Sequence, residues 1–186
     1  MKNMDLEIIK LDQVVNTIKS KNGVTGDLSE YYIVKFIFDG RDYYTIWYTD
    51  VVDGFITFNN GILSFNNQIS LMKYCQNHMI ELEKDITVYD IDDFIPKSND
   101  NIFEMNCESI LDFWNIISDA ARSLQLHFCG DTACYNSIYE KLLCGCNLPA
   151  LNSRYYRPNW TREEVDKIQH IINVGYCILQ RCLRTH

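Results

Sequence analysis

Between residues 31 and 65 short apolar runs alternate with turn dipeptides, which is the pattern of two consecutive β-hairpins. Residues 31–38 are β-branched and aromatic and stop at Asp39-Gly40, and residues 43–48 read as the return strand. Residues 55–58 and 62–65 then flank Asn59-Asn60-Gly61. Asp-Gly and Asn-Gly tolerate the positive φ of tight hairpin turns. In the first strand Tyr32, Val34, Phe36 and Phe38 share one face, while Ile33 and Ile37 share the other with Lys35. A strand apolar on both faces is covered on both or lies inside a sheet.

The period changes on either side of the hairpins. Upstream, Leu11, Val14, Val15 and Ile18 predict a helix over 6–20 that ends at Asn22-Gly23, with a short strand at 6–11 as the competing reading. Downstream, Asn66-Asn67 can cap a helix over 68–79 with an apolar stripe of Ile69, Met72, Cys75 and Met79. Residues 85–94 read as a strand with an acidic end, Asp90, Asp92 and Asp93. Around Pro96 polar residues replace the pattern, which divides the chain into a sheet subdomain, 1–96, and a helical subdomain, 101–186, expected to form one compact unit.

Beyond that boundary Ile110, Phe113, Trp114, Ile117, Ala121 and Leu124 predict an amphipathic helix over 107–126. Asp131 or Thr132 can cap a second helix, with Cys134, Ile138 and Leu142 inside and Gly145 as its stop. An irregular stretch, 147–159, precedes the capping box Thr161-Arg162-Glu163-Glu164. The last helix runs to about residue 183 through Val165, Ile168, Ile172, Gly175, Leu179 and Cys182. The fold class expected is α+β: an N-terminal antiparallel sheet of hairpins with a small helix, then a helical half packing on it.

Composition narrows the function. At 186 residues, 47% hydrophobic and 23% charged, the chain can bury a full core and is not of the disordered class. No apolar run is long enough to span a bilayer, and the first residues carry acids early, without a secretory h-region, so a cytoplasmic location is expected. The eight cysteines are then expected as reduced thiols. The net charge of −8 is uneven: residues 1–105 hold 17 acids and 9 bases, and residues 106–186 hold 8 of each. An acidic sheet half repels nucleic acid and membrane surfaces and attracts basic partners, although acidic surfaces also serve solubility alone.

Candidate chemistry is weaker than this charge signal. His127, Cys129, Cys134, Cys144 and Cys146 could be read as a zinc site, but their spacings are Cys-x₄-Cys and Cys-x-Cys, not paired knuckles, and core or loop thiols are the plainer reading. A nucleophilic cysteine would need His78, His127 or His170 as base, and none lies in a protease signature. Asp50, Asp53, Asp90, Asp92 and Asp93 could pair for acid–base work or bind a protein, or stand solvated. Arg154, Tyr155, Tyr156 and Arg157 could stack bases, against the unfavourable charge of the chain. No glycine-rich phosphate loop is present. No metal, cofactor or catalytic residue is therefore expected.

Residues 54–65, followed by 69–75 and 86–92, give the order strand, turn, strand, small helix, acidic strand. Over about residues 43–94 this resembles the immunity proteins of bacterial polymorphic-toxin and contact-dependent growth-inhibition systems. The resemblance implies a small acidic cytoplasmic protein that is no enzyme. It would neutralise a cognate toxin domain, in many cases a nuclease with a basic cleft, by covering its active site. The residues it points to for partner binding are Trp47, Tyr48, Asp50 and Asp53 near one edge of the sheet, and Asp90, Asp92 and Asp93 near the other.

Overall fold

The computed structural model describes residues 30–94, 106–147 and 156–185. The helix expected over 6–20, the boundary around Pro96, and Arg154 and Tyr155 lie outside these residues. Strands β1 (Glu30–Phe38) and β2 (Arg41–Thr49) form the first hairpin, paired from Glu30 opposite Thr49 to Phe38 opposite Arg41. Asp39 and Gly40 form its turn at φ of 50° and 65°, a mirror-image turn whose twist matches the strands. After β3 (Gly54–Phe55), strands β4 (Thr57–Phe58) and β5 (Gly61–Phe65) form the second hairpin. Its left-handed residues are Asn59 and Asn60, at 49° and 59°, and Gly61 already pairs as the first residue of β5.

The sheet is mixed, where the hairpin pattern predicts an antiparallel one. Its order is β4-β5-β2-β1-β6, with β3 beside β2 and β7 (Leu183–Thr185) beside β5. Strand β6 (Leu82–Asp90) runs parallel to β1, from Tyr31 opposite Leu82 to Ile37 opposite Asp90. Between β5 and β6 lies α1 (Gln68–Asn77), a helical connection of the kind that lets a chain return in the parallel sense. The second parallel pair, β5 with β7, brings the end of the helical half into the sheet. The acidic strand begins and ends earlier than the 85–94 its pattern predicts: it starts at Leu82, and residues 91–94 coil into a single helical turn, α2 (Ile91–Phe94).

Both faces of β1 are covered, as its two apolar faces require. On one face α1 packs Leu71, Tyr74 and Cys75 against Ile33, Ile46, Ile56, Leu63 and Phe65. The Asn67 cap is as predicted, with its Oδ1 accepting the Ser70 N–H at 2.9 Å. The predicted stripe is rotated, however: Cys75 is buried, but Ile69 and Met79 are 80% and 86% exposed and Met72 also faces out. Tyr74 takes the inward place, where its ring packs on Phe65 with centroids 5.3 Å apart.

On the other face Val34, Phe36, Phe38, Phe55 and Ile62 meet three helices: α3 (Cys107–Ser123), α4 (Asn136–Gly145) and α5 (Arg162–Cys182). The apolar positions predicted for α3, except half-buried Leu124, and for α5 are buried. At Gly175 a Cβ would sit 2.7 Å from the Phe113 ring, so glycine sets how closely α5 approaches α3. The capping box forms: Glu164 N–H donates to Thr161 Oγ1, and the Glu164 carboxylate accepts from the Thr161 N–H at 2.8 Å. Before α4 the expectation is corrected. Residues 129–131 and 133–135 make two 3₁₀ turns, Cys134 is exposed, and Asp131 accepts from the Ser118 hydroxyl on α3 instead of capping α4.

Candidate functional site: two carboxylate clusters and an acidic groove

The two predicted clusters lie at opposite ends of the strands. Trp47 and Tyr48 pair with Tyr32 and Tyr31, whereas Asp90 sits opposite Ile37. The separation along β1 is about 20 Å at the usual rise per residue. Trp47 is not at a sheet edge, because β2 has neighbours on both sides.

The first cluster is drawn into a network that fastens α3 to the sheet. Trp47 Nε1 donates to Asp119 Oδ2 at 3.0 Å, and Arg122 pairs with Asp119 Oδ1 at 2.9 Å. Arg122 also donates to the Ser118 hydroxyl, and Ser123 Oγ accepts the Phe55 N–H at 2.8 Å. Burial, which the indole and guanidinium only partly offset, holds the Asp119 carboxyl above the usual range. Burial first, then Asp50, Asp119 and Asp53, push the Tyr48 phenol up. Asp50 and Asp53 shape the loop before β3: Asp50 Oδ1 accepts from the Val51 N–H and Asp53 Oδ1 from the Asp50 N–H.

The second cluster divides. Asp92 faces inward to the first hairpin, where its two oxygens accept the N–H groups of Asp39 and Gly40 at 2.9 Å each. Successive amides of a tight turn form a small cup for an anion, and Asp92 fills it. From the other side Tyr176 on α5 donates to Asp39 Oδ1 at 2.7 Å. Asp90 and Asp93 instead line a groove of about 480 Å³ between the end of β6, α2 and the start of α3. Its walls include Tyr89, Phe94, Ile110 and Asp112. Asp90 Oδ1 is buried and, among the described residues, accepts no hydrogen bond. Burial first and Glu108 second raise the Asp112 carboxyl. Burial, Asp112 and Asp119 push the Tyr89 phenol up to about 12.

Asp112 and Asp119 were missed by the sequence reading. They stand seven residues apart on α3, two helical turns, so both fall beside its apolar face. That spacing was the available signal. Among the described residues no group of three His, Cys, Asp or Glu side chains is placed to hold a metal ion. All eight cysteines are unbridged. Burial pushes the Cys75 thiol up to about 12 and raises Cys107, Cys129 and Cys146, which keeps those sulfurs protonated and poorly nucleophilic. Tyr156 is tied by its backbone to the Asn147 side chain, its N–H donating to Oδ1 at 2.6 Å. Among the described residues no helix is long and apolar enough to cross a membrane.

Neither a family model nor a curated protein matches this chain. One solved structure is similar in fold, the crystal structure of the SatS C-terminal domain in complex with bromine. It has a TM-score of 0.50 and 14% identity, over 84% of this chain and 94% of that one.

Proposed function

We propose that this protein works by binding, as an immunity protein that neutralises a basic toxin domain by covering its active site, and that it makes and breaks no bonds itself. The observation that carries the proposal is the groove beside β6. There Asp90, Asp93 and Asp112 line one groove with Tyr89 and Phe94, and among the described residues nothing donates to Asp90 Oδ1. A partner that brings cationic side chains would supply a donor to Asp90, while the acidic field speeds encounter. The protonated state of the buried thiols weighs against a cysteine nucleophile.

The test uses the protein encoded directly upstream of this one, the position a toxin gene occupies. Its C-terminal domain, expressed alone, should arrest growth, and co-expression of this chain should restore it through a complex that survives gel filtration. The paired substitution Asp90→Lys and Asp93→Lys should slow association at least about tenfold at low salt, since rim and steering charges act mainly on the on-rate. Growth arrest unrelieved by this chain, or an unchanged on-rate, would sink the proposal.

A further inference from the structure

The geometry points to a way of holding that partner: the open side of β6 takes up an extended basic segment as an added strand, with an arginine or lysine of that segment entering the Asp90–Asp93–Asp112 groove. This rests on the reading that the partner is basic and adds the mode of docking. Strand β6 ends the sheet order, and among the described residues no strand pairs with its outer side. Residues 83–88 are all exposed, Ile86 and Val88 included. Unpaired strand edges are templates for another chain, and folded proteins usually blunt or cover them. This one carries Glu83, Asp85 and Asp90 against a single Lys84, so β6 is acidic on balance. Beside a second copy those charges repel, and beside a basic strand they attract.

The edge and the groove are continuous. Thr87, Val88, Tyr89 and Asp90 are the last four residues of β6 and also one wall of the groove. A strand laid along β6 therefore crosses the groove mouth, and every second side chain points to the same face. A guanidinium suits what it meets there: carboxylates for its forked donors and the rings of Tyr89 and Phe94 for its planar face.

The probe is a fluorescein-labelled nine-residue peptide alternating arginine with threonine and valine, titrated at low salt by anisotropy. Its counterpart has glutamate for arginine, and two further versions carry N-methyl groups on alternate residues of one edge or the other. We expect the basic peptide to bind at least about tenfold more tightly than the acidic one, and to slow amide exchange across residues 83–89. Methylation along one edge should raise Kd at least about tenfold and along the other less than about twofold, because only one edge of an added strand bonds to the sheet. Asp90→Asn with Asp112→Asn should weaken binding about fivefold, with unchanged circular dichroism as the control for folding. If both methylated peptides bind alike, strand addition is wrong although the attraction for basic chains stands. If the basic peptide binds no better than the acidic one, both fail. Sedimentation as a dimer with β6 amides protected in the absence of peptide would assign the edge to a second copy and overturn the proposal.

Discussion

Trp47 and its neighbours look, in sequence, much like the acidic end of β6: an aromatic residue beside two or three carboxylates. In the fold they part company. Asp119 comes to Trp47 from 72 residues away, Arg122 neutralises it, and the cluster becomes a joint between sheet and helix. Among the described residues no cation pairs with Asp90 or Asp112, and nothing donates to the buried Asp90 oxygen. On the function proposed here, a carboxylate with its donors supplied from within serves the fold, and one left short of donors serves a partner. Asp92 shows that the division runs within three residues, since its oxygens are taken up by the hairpin turn, whereas among the described residues nothing donates to Asp90 Oδ1.

The comparison breaks most visibly at Asp119. Alanine there strips the Trp47 indole of its acceptor and Arg122 of its ion pair, and should cost about 2 kcal/mol in urea unfolding. Asparagine keeps an acceptor for the indole and removes a charge that burial disfavours. It should recover all but about 0.5 kcal/mol, since the exposed ion pair contributes little. Equal losses in the two variants would mean that the ion pair, and not the indole bond, holds the joint.

At Asp92 the expected effect is smaller. Alanine leaves the amides of Asp39 and Gly40 to water and should cost about 1 kcal/mol, near the value of a lost helix cap. Amide exchange should quicken at the turn, while the groove keeps its affinity for a basic probe. Loss of probe binding with stability unchanged would place Asp92 with the binding carboxylates instead.

The hairpins were legible because Asp39-Gly40 and Asn60-Gly61 are turn dipeptides, although in the second turn the left-handed pair is Asn59-Asn60, one residue earlier. The helices of the second half were legible because their buried faces are wide. What escaped was set by distant partners. The parallel partner of β1 lies beyond a crossover, and β7 is three residues long, too short for any period. On α1, Tyr74 faces the sheet in place of Ile69 and Met72 because its ring packs on Phe65, a contact that the helix's own spacing does not show. The roles of the acids were hidden for the same reason. Asp92 is told from Asp93 by two amides 52 and 53 residues upstream.

The smallest expected effect is the sharpest on the nature of the groove. Burial and Glu108 hold the Asp112 carboxyl above its ordinary value, so the folded protein takes up that proton more readily than the unfolded chain. Ionised Asp112 therefore weakens the fold at neutral pH, and the penalty lifts as pH falls through the raised value toward the usual aspartate range near about 4. Asp112→Asn should be slightly more stable than the parent at pH 7, by up to about 0.5 kcal/mol at this partly exposed site, and equal to it once the parent is protonated. Glu164 runs the other way: its bond to Lys141 holds it low, so its contribution is present at neutral pH and is lost as pH falls through that lowered value. Paired urea titrations of the parent and Asp112→Asn from pH 7 to about 4 separate the two behaviours, because the difference between the curves belongs to Asp112 alone. An Asp112→Asn variant less stable than the parent at pH 7, with the gap closing on acidification, would show that ionised Asp112 stabilises the fold, and the groove would then join the Trp47 cluster on the structural side.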